Sequence, residues 1–213
     1  MRHLVATALA AATLMLPACG KDSTGPGKVV LAFVGTVNGD NGSMSGSIVL
    51  TINGSSVTGT LKIVAPSSAT VALSGTYDAG SKSLAATGGG FSFAGIFDGS
   101  QQLAGTVSGT TAGTFVASKD DSNSALAYCG TFAGDDAGVF NFTIVGSGLS
   151  GNATTTSGTS IPLNGTITGS SLTIANPGGG AALATGTRSG DNVSGSWDNG
   201  AGSTGTWTGA RCN

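Results

Sequence analysis

Glutamate is absent from all 213 residues, and the only histidine is His3. Charged residues make up 8% of the chain, eight Lys and Arg against ten Asp, so there is no basic stripe to follow a nucleic-acid backbone. A nucleic-acid partner is therefore not expected. The lack of any histidine beyond His3 removes Ser-His-Asp catalysis in its usual form, and no GxSxG turn stands between a strand and a helix. Zinc is short of ligands for the same reason, with three cysteines in the whole chain. No catalytic set, metal or cofactor follows from what remains, and the expectation is a protein that is not an enzyme.

What the chain does have is glycine, 38 residues of it, with abundant Thr and Ser and an apolar fraction of 39%. The apolar residues alternate with small polar ones over short runs, which a sheet with one buried face requires. Turn residues punctuate these runs about every eleven positions, a spacing typical of all-β sandwiches and barrels. Helical periodicity is absent beyond the first residues.

The sequence is also written twice. Residues 31–36, LAFVGT, match 126–131, LAYCGT, and the same order of features follows each. GDNG at 39–42 answers GDDA at 134–137, and GSSVTGT at 54–60 answers GSGLSGN at 146–152. Toward the ends QLAGTVSG answers NVSGSWDN, and AGTFVASK answers TGTWTGAR. The strands share a pattern of apolar residue, spacer, glycine, spacer, apolar residue, as in Val57, Gly59 and Leu61 or Val193, Gly195 and Trp197. With side chains alternating faces, these residues point one way and Thr, Ser and Lys the other. An inward glycine permits close backbone approach, strong bending, or room for a neighbouring ring.

Residues 4–16, LVATALAAATLML, follow Arg2 as an apolar run too short for a membrane span of about twenty residues, and they read as a secretory signal. LPAC at 16–19 resembles the lipobox of bacterial lipoproteins, with Leu16 three places before the cysteine and the small Ala18 directly before it. The resemblance implies a signal peptide over 1–18 and lipidation of Cys19. It also implies an extracytoplasmic protein anchored by lipid to the cell envelope, in the outer membrane where there are two. Residues 19–28 then form the lipidated cysteine and a flexible tether, 29–118 a first β repeat, 119–125 a linker, and 126–213 a second repeat.

With Cys19 taken, Cys129 and Cys212 are an even pair in an exported protein, where disulfides persist. Alternation puts both thiols on the outer side of their strands, the first and last of the second repeat, so a bond would staple a sheet that closes on itself. Val34 and Asp120 hold the matching places in the first repeat. The expected fold is all-β, a glycine-rich antiparallel meander forming two tandem small up-and-down barrels or barrel-like sheets. One larger barrel or a sandwich made from both repeats is the alternative. Eight-strand meanders resemble the avidin and lipocalin architectures, and GTW at 205–207 adds to the avidin likeness. An architectural likeness transfers no ligand.

Most aspartates stand beside Gly, Asn or small residues, where Asp serves turns through local hydrogen bonds. Asp40, Asp135 and Asp136, in equivalent loops, are the weak calcium candidates, because that ion takes clustered carboxylate and carbonyl oxygens. Trp197 and Trp207 either fill space left by the glycines or anchor a ligand through a broad apolar face. The expected function is a lipid-anchored envelope protein, non-enzymatic, acting in structure or recognition of an envelope component. A carrier of a small apolar ligand is the alternative, and a hydrolase working through Asp pairs comes last.

Overall fold

The computed structural model describes residues 30–122 and 124–213. The proposed signal, Cys19 and the tether lie outside the described residues. Two closed eight-strand barrels follow one another, each with every strand hydrogen-bonded to its sequence neighbours. The first holds β1 (Val30–Gly39), β2 (Ser45–Asn53), β3 (Ser56–Ala65), β4 (Ala69–Asp78), β5 (Ser83–Gly88), β6 (Phe91–Phe97), β7 (Gln102–Gly109) and β8 (Gly113–Lys119). The second holds β9 (Leu126–Gly134), β10 (Gly138–Val145), β11 (Gly148–Thr155), β12 (Ser160–Thr168), β13 (Ser171–Ile174), β14 (Ala184–Ser189), β15 (Asn192–Asp198) and β16 (Thr204–Arg211). Antiparallel pairs β1–β8 and β9–β16 close them, so neither barrel has a free edge to template aggregation. The tandem up-and-down barrels are present, and neither one larger barrel nor a sandwich is formed.

Alternation accounts for the strands. In β3, Val57, Leu61 and Ile63 are buried inside the barrel while Thr58 and Thr60 face out. The inward glycines serve two ends at once. A Cβ on Gly195 would lie 2.6 Å from Gly186 Cα on the next strand and 2.7 Å from Trp207 Cε2. Gly130 stands in the same relation to Gly209 and to the Phe140 ring. Glycine thus lets the backbone curve tightly and gives an aromatic ring from another strand a flat place to lie.

One end of the second barrel is tied by tight turns at 146–147, 169–170 and 190–191, each opened by a left-handed glycine, Gly146, Gly169 or Gly190. The other end carries the longer connections 135–137, 156–159, 175–183 and 199–203. We refer to these ends as base and mouth. The first barrel has no such division: its mouth-side β5–β6 turn is only Gly89–Gly90, while residues 79–82 and 98–101 make longer loops at its base.

The barrels meet side by side, β1 and β2 against β9 and β10. Val34, Ala125, Ala127, Cys129 and Cys212 form an apolar cluster there, flanked by Val49, Val64 and Val145. Cys129 and Cys212 are disulfide-bonded, with Cα atoms 5.8 Å apart. They point out of their barrel as alternation requires, yet they do not reach solvent, because the first barrel covers them to 6% and 2% exposure. Ser47 donates its hydroxyl to the Cys212 carbonyl across the seam. The Asn141 amide nitrogen lies 3.0 Å from the Val37 carbonyl, 2.9 Å from Asn38 Oδ1 and 3.0 Å from Ser45 Oγ. With acceptors on all sides, the amide must present its NH₂ group to the first barrel. Of the expected linker, Lys119 belongs to β8, and Asp120 Oδ1 accepts the Ser124 and Ala125 amides at 2.7 and 3.0 Å.

Candidate functional site

Eight strands enclose a space that side chains can either fill or leave free for one small ligand. The two barrels differ in this. In the first, Phe33 meets Phe97 edge-on with centroids 5.2 Å apart, and Phe93 meets Phe115 at 5.6 Å. With Val37, Met44, Leu61 and Val107 around them, these rings complete a closed core.

The second barrel encloses a cavity of about 300 Å³ that opens at the mouth. Phe132, Phe140, Phe142, Trp197 and Trp207, from β9, β10, β15 and β16, make one wall. Ala153, Ile161, Leu163, Ile174 and Ala184, from β11 to β14, make the other. Phe140 stacks on Phe142 at 5.6 Å, and Trp207 stands edge-on to both. Below them Tyr128 is fully buried, and its hydroxyl donates to the Gly190 carbonyl at 3.3 Å, which seals the base.

Register identifies why the space exists. Gly95 pairs with Gly105 and Gly186 with Gly195, so the ladders of the two barrels align. Two residues along, Phe93 pairs with Val107, whereas Ala184 pairs with Trp197. Likewise Leu61, paired with Ile48, has Ala153, paired with Phe140, as its counterpart. Truncation at these two positions removes the side chains that would occupy the centre. The long 175–183 connection, replacing the Gly89–Gly90 turn, brings Leu183 into the cavity lining on the same side.

Both tryptophans singled out from the sequence line this cavity. Their indole N–H groups are already committed, Trp197 to the Ala133 carbonyl and Trp207 to the Ser196 carbonyl, each at 3.2 Å. The rings therefore offer apolar faces and no donor. At the rim stand Asp135, Asp136, Asn199 and Ser203. Asp135 Oδ2 accepts the Thr204 amide at 2.8 Å and Asp136 Oδ1 the Ala137 amide at 2.7 Å. Asn199 Oδ1 accepts the Ala201 and Ser203 amides at 2.8 and 3.1 Å.

The calcium candidates are not assembled into a site. Asp40 lies in the short 3₁₀ turn of the first barrel, Asp135 and Asp136 at the mouth of the second, and no group of three or more metal-ligating side chains occurs among the described residues. Asp135 and Asp136 instead each give one oxygen to a backbone amide, as turn carboxylates do. Asp78 and Asp98 show the effect on acidity: backbone amides of Gly80 and Ser81, and of Ser100, Gln102 and Gln101, hold their carboxyls below the usual value of 3.8. Sequence reading missed Ala153 and Ala184, because an alanine in a strand looks like any other small residue until its cross-strand partner is known. The chain matches no protein-family model and is similar in sequence to no curated protein.

Proposed function

We infer that the chain is a lipid-anchored envelope protein whose second barrel binds a small apolar molecule, while the first is a filled structural companion. One observation carries the reading: an enclosed, mouth-opening space of about 300 Å³ walled by five aromatic rings on one side and aliphatic groups on the other. Ligand sites are of this kind, apolar with a few polar groups at fixed places, and barrel mouths are a usual location. The lipobox-like LPAC supports attachment to the envelope through Cys19. Catalysis has no part in this reading, in which Asp135 and Asp136 each give one oxygen to a backbone amide of the rim and stand above an apolar lining. The Asp-pair hydrolase finds no support in their arrangement.

Both tryptophans of the chain line the cavity, so intrinsic fluorescence is the direct test. Titration with small aromatic and alicyclic compounds should give a saturable change, which Ala184→Phe, restoring the ring found at Phe93, should abolish. A flat response across the panel would remove ligand binding and leave both barrels structural. Palmitate labelling, lost in Cys19→Ser, checks the anchor separately.

A further inference from the structure

Charge is unevenly placed along the second barrel. All its charged residues are Asp135, Asp136, Arg188, Asp191, Asp198 and Arg211. Asp135, Asp136 and Asp198 lie at the mouth, and the four mouth connections contain no Lys or Arg. Both arginines belong to the base, where Arg211 lies 3.8 Å from Asp191. An approaching ligand therefore meets a negative rim above an aromatic interior.

The hydrogen bonds sharpen this polarity. Each rim carboxylate that lines the cavity gives one oxygen to a backbone amide and keeps the other uncommitted. Neither indole N–H is free, so the only side-chain donors among the described lining residues that could meet an anionic head are the neutral groups of Asn199 and Ser203. A carboxylate or phosphate would sit against two negative charges with little in return. A protonated amine would gain both carboxylates, and the faces of Trp197 and Phe132 attract a cation as well.

On this basis, and resting on the binding reading above, we propose that the cavity selects compact apolar amines: a body of about two rings held between the aromatic and aliphatic walls, with its ammonium group at Asp135 and Asp136. Size follows from volume, since a cavity of about 150 Å³ accommodates benzene and this one is about 300 Å³.

Three probes of one shape test it: 2-naphthylmethylamine as the ammonium, 2-naphthylmethanol and 2-naphthoate, titrated into the intact protein by calorimetry at low ionic strength. The ammonium should bind about tenfold tighter than the alcohol, the sum of an exposed ion pair and a cation–π contact. The naphthoate should bind weakest. High salt should shrink the spread, because rim charges are screened. Asp136→Asn, alone and with Asp135→Asn, keeps the turn acceptors and should bring the ammonium toward the alcohol without moving the alcohol itself. If the alcohol binds but the naphthoate equals or exceeds the ammonium, or the ammonium keeps its advantage in the double variant, the charge assignment is overturned while apolar binding stands. If no probe binds, and Ala184→Phe changes nothing, both fall together.

Discussion

Where the first barrel places Phe93 against Val107, the second places Ala184 against Trp197, and the interiors diverge from there. The second barrel is not poorer in aromatics. It has Phe140 where the first has Ile48, and Trp207 where the first has Phe115. Its extra ring volume is laid against the wall: Trp207 lies over Gly186 and Gly195, and Phe140 over Gly130 and Gly209. What it lacks is bulk on the opposite strands. In a barrel whose strand number fixes its girth, a cavity is made by moving side-chain volume to one wall and truncating the other.

The comparison breaks most sharply at Phe93. Phe93→Ala should destabilise the first barrel by roughly 3–5 kcal/mol, since the core around a removed ring relaxes only in part. Circular dichroism in a denaturant series would show it. Tryptophan fluorescence, which reports on the second barrel alone, should keep most of its own transition. Coincident shifts in both probes would mean that the seam makes the two barrels one cooperative unit.

The staple is next in size. It joins residues 83 apart in sequence, and the first barrel has no counterpart. Replacing Cys129 and Cys212 by Ser should cost about 2–5 kcal/mol. The tryptophan transition should move to lower denaturant, and the first barrel should be affected only through the shared seam. An unchanged midpoint would mean that β9–β16 pairing and the seam hold the second barrel without the bond.

The smallest effect lies at the base loops of the first barrel. Asp98 Oδ1 accepts the Ser100, Gln101 and Gln102 amides at 2.7, 2.9 and 3.1 Å, and Asp78 Oδ1 accepts the Gly80 amide at 2.8 Å. Both carboxyls are held below 3.8, so the folded state binds these protons less readily than the unfolded chain. Their contribution is fully present above about that pH and is lost as pH falls through the depressed values. Both groups are solvent-exposed, so the slope should be shallow. Asp98→Asn keeps an acceptor but cannot titrate, and thermal unfolding between about pH 5 and 2 should be flatter in that variant. An identical slope would place the acid sensitivity elsewhere.

Much of this architecture can be read in the sequence because period-two alternation and turn spacing are local. Val57, Gly59 and Leu61 predict their face without knowledge of any partner, and the duplicated LAFVGT and LAYCGT place a first strand in each barrel. The Cys129–Cys212 pair is legible for the same reason. Its burial is not, since the surface that covers it comes from the first barrel, where Ser47, bonded to the Cys212 carbonyl, stands 165 positions earlier in the chain. Trp197 and Trp207 can be picked out by chemistry, but whether they fill or line the interior depends on Ala153 and Ala184 across the barrel.

Sequence by itself therefore determined the strand class, the number of repeats, the disulfide partners and the scarcity of catalytic side chains, all properties of residue identity and spacing. Only the tertiary structure decided that one barrel is full and the other hollow, that the disulfide lies in a dry seam, and that Asp135, Asp136 and Asp198 come together at the open end. These are sums over side chains distant in the chain, and closing each barrel is the step that brings their volumes and charges together.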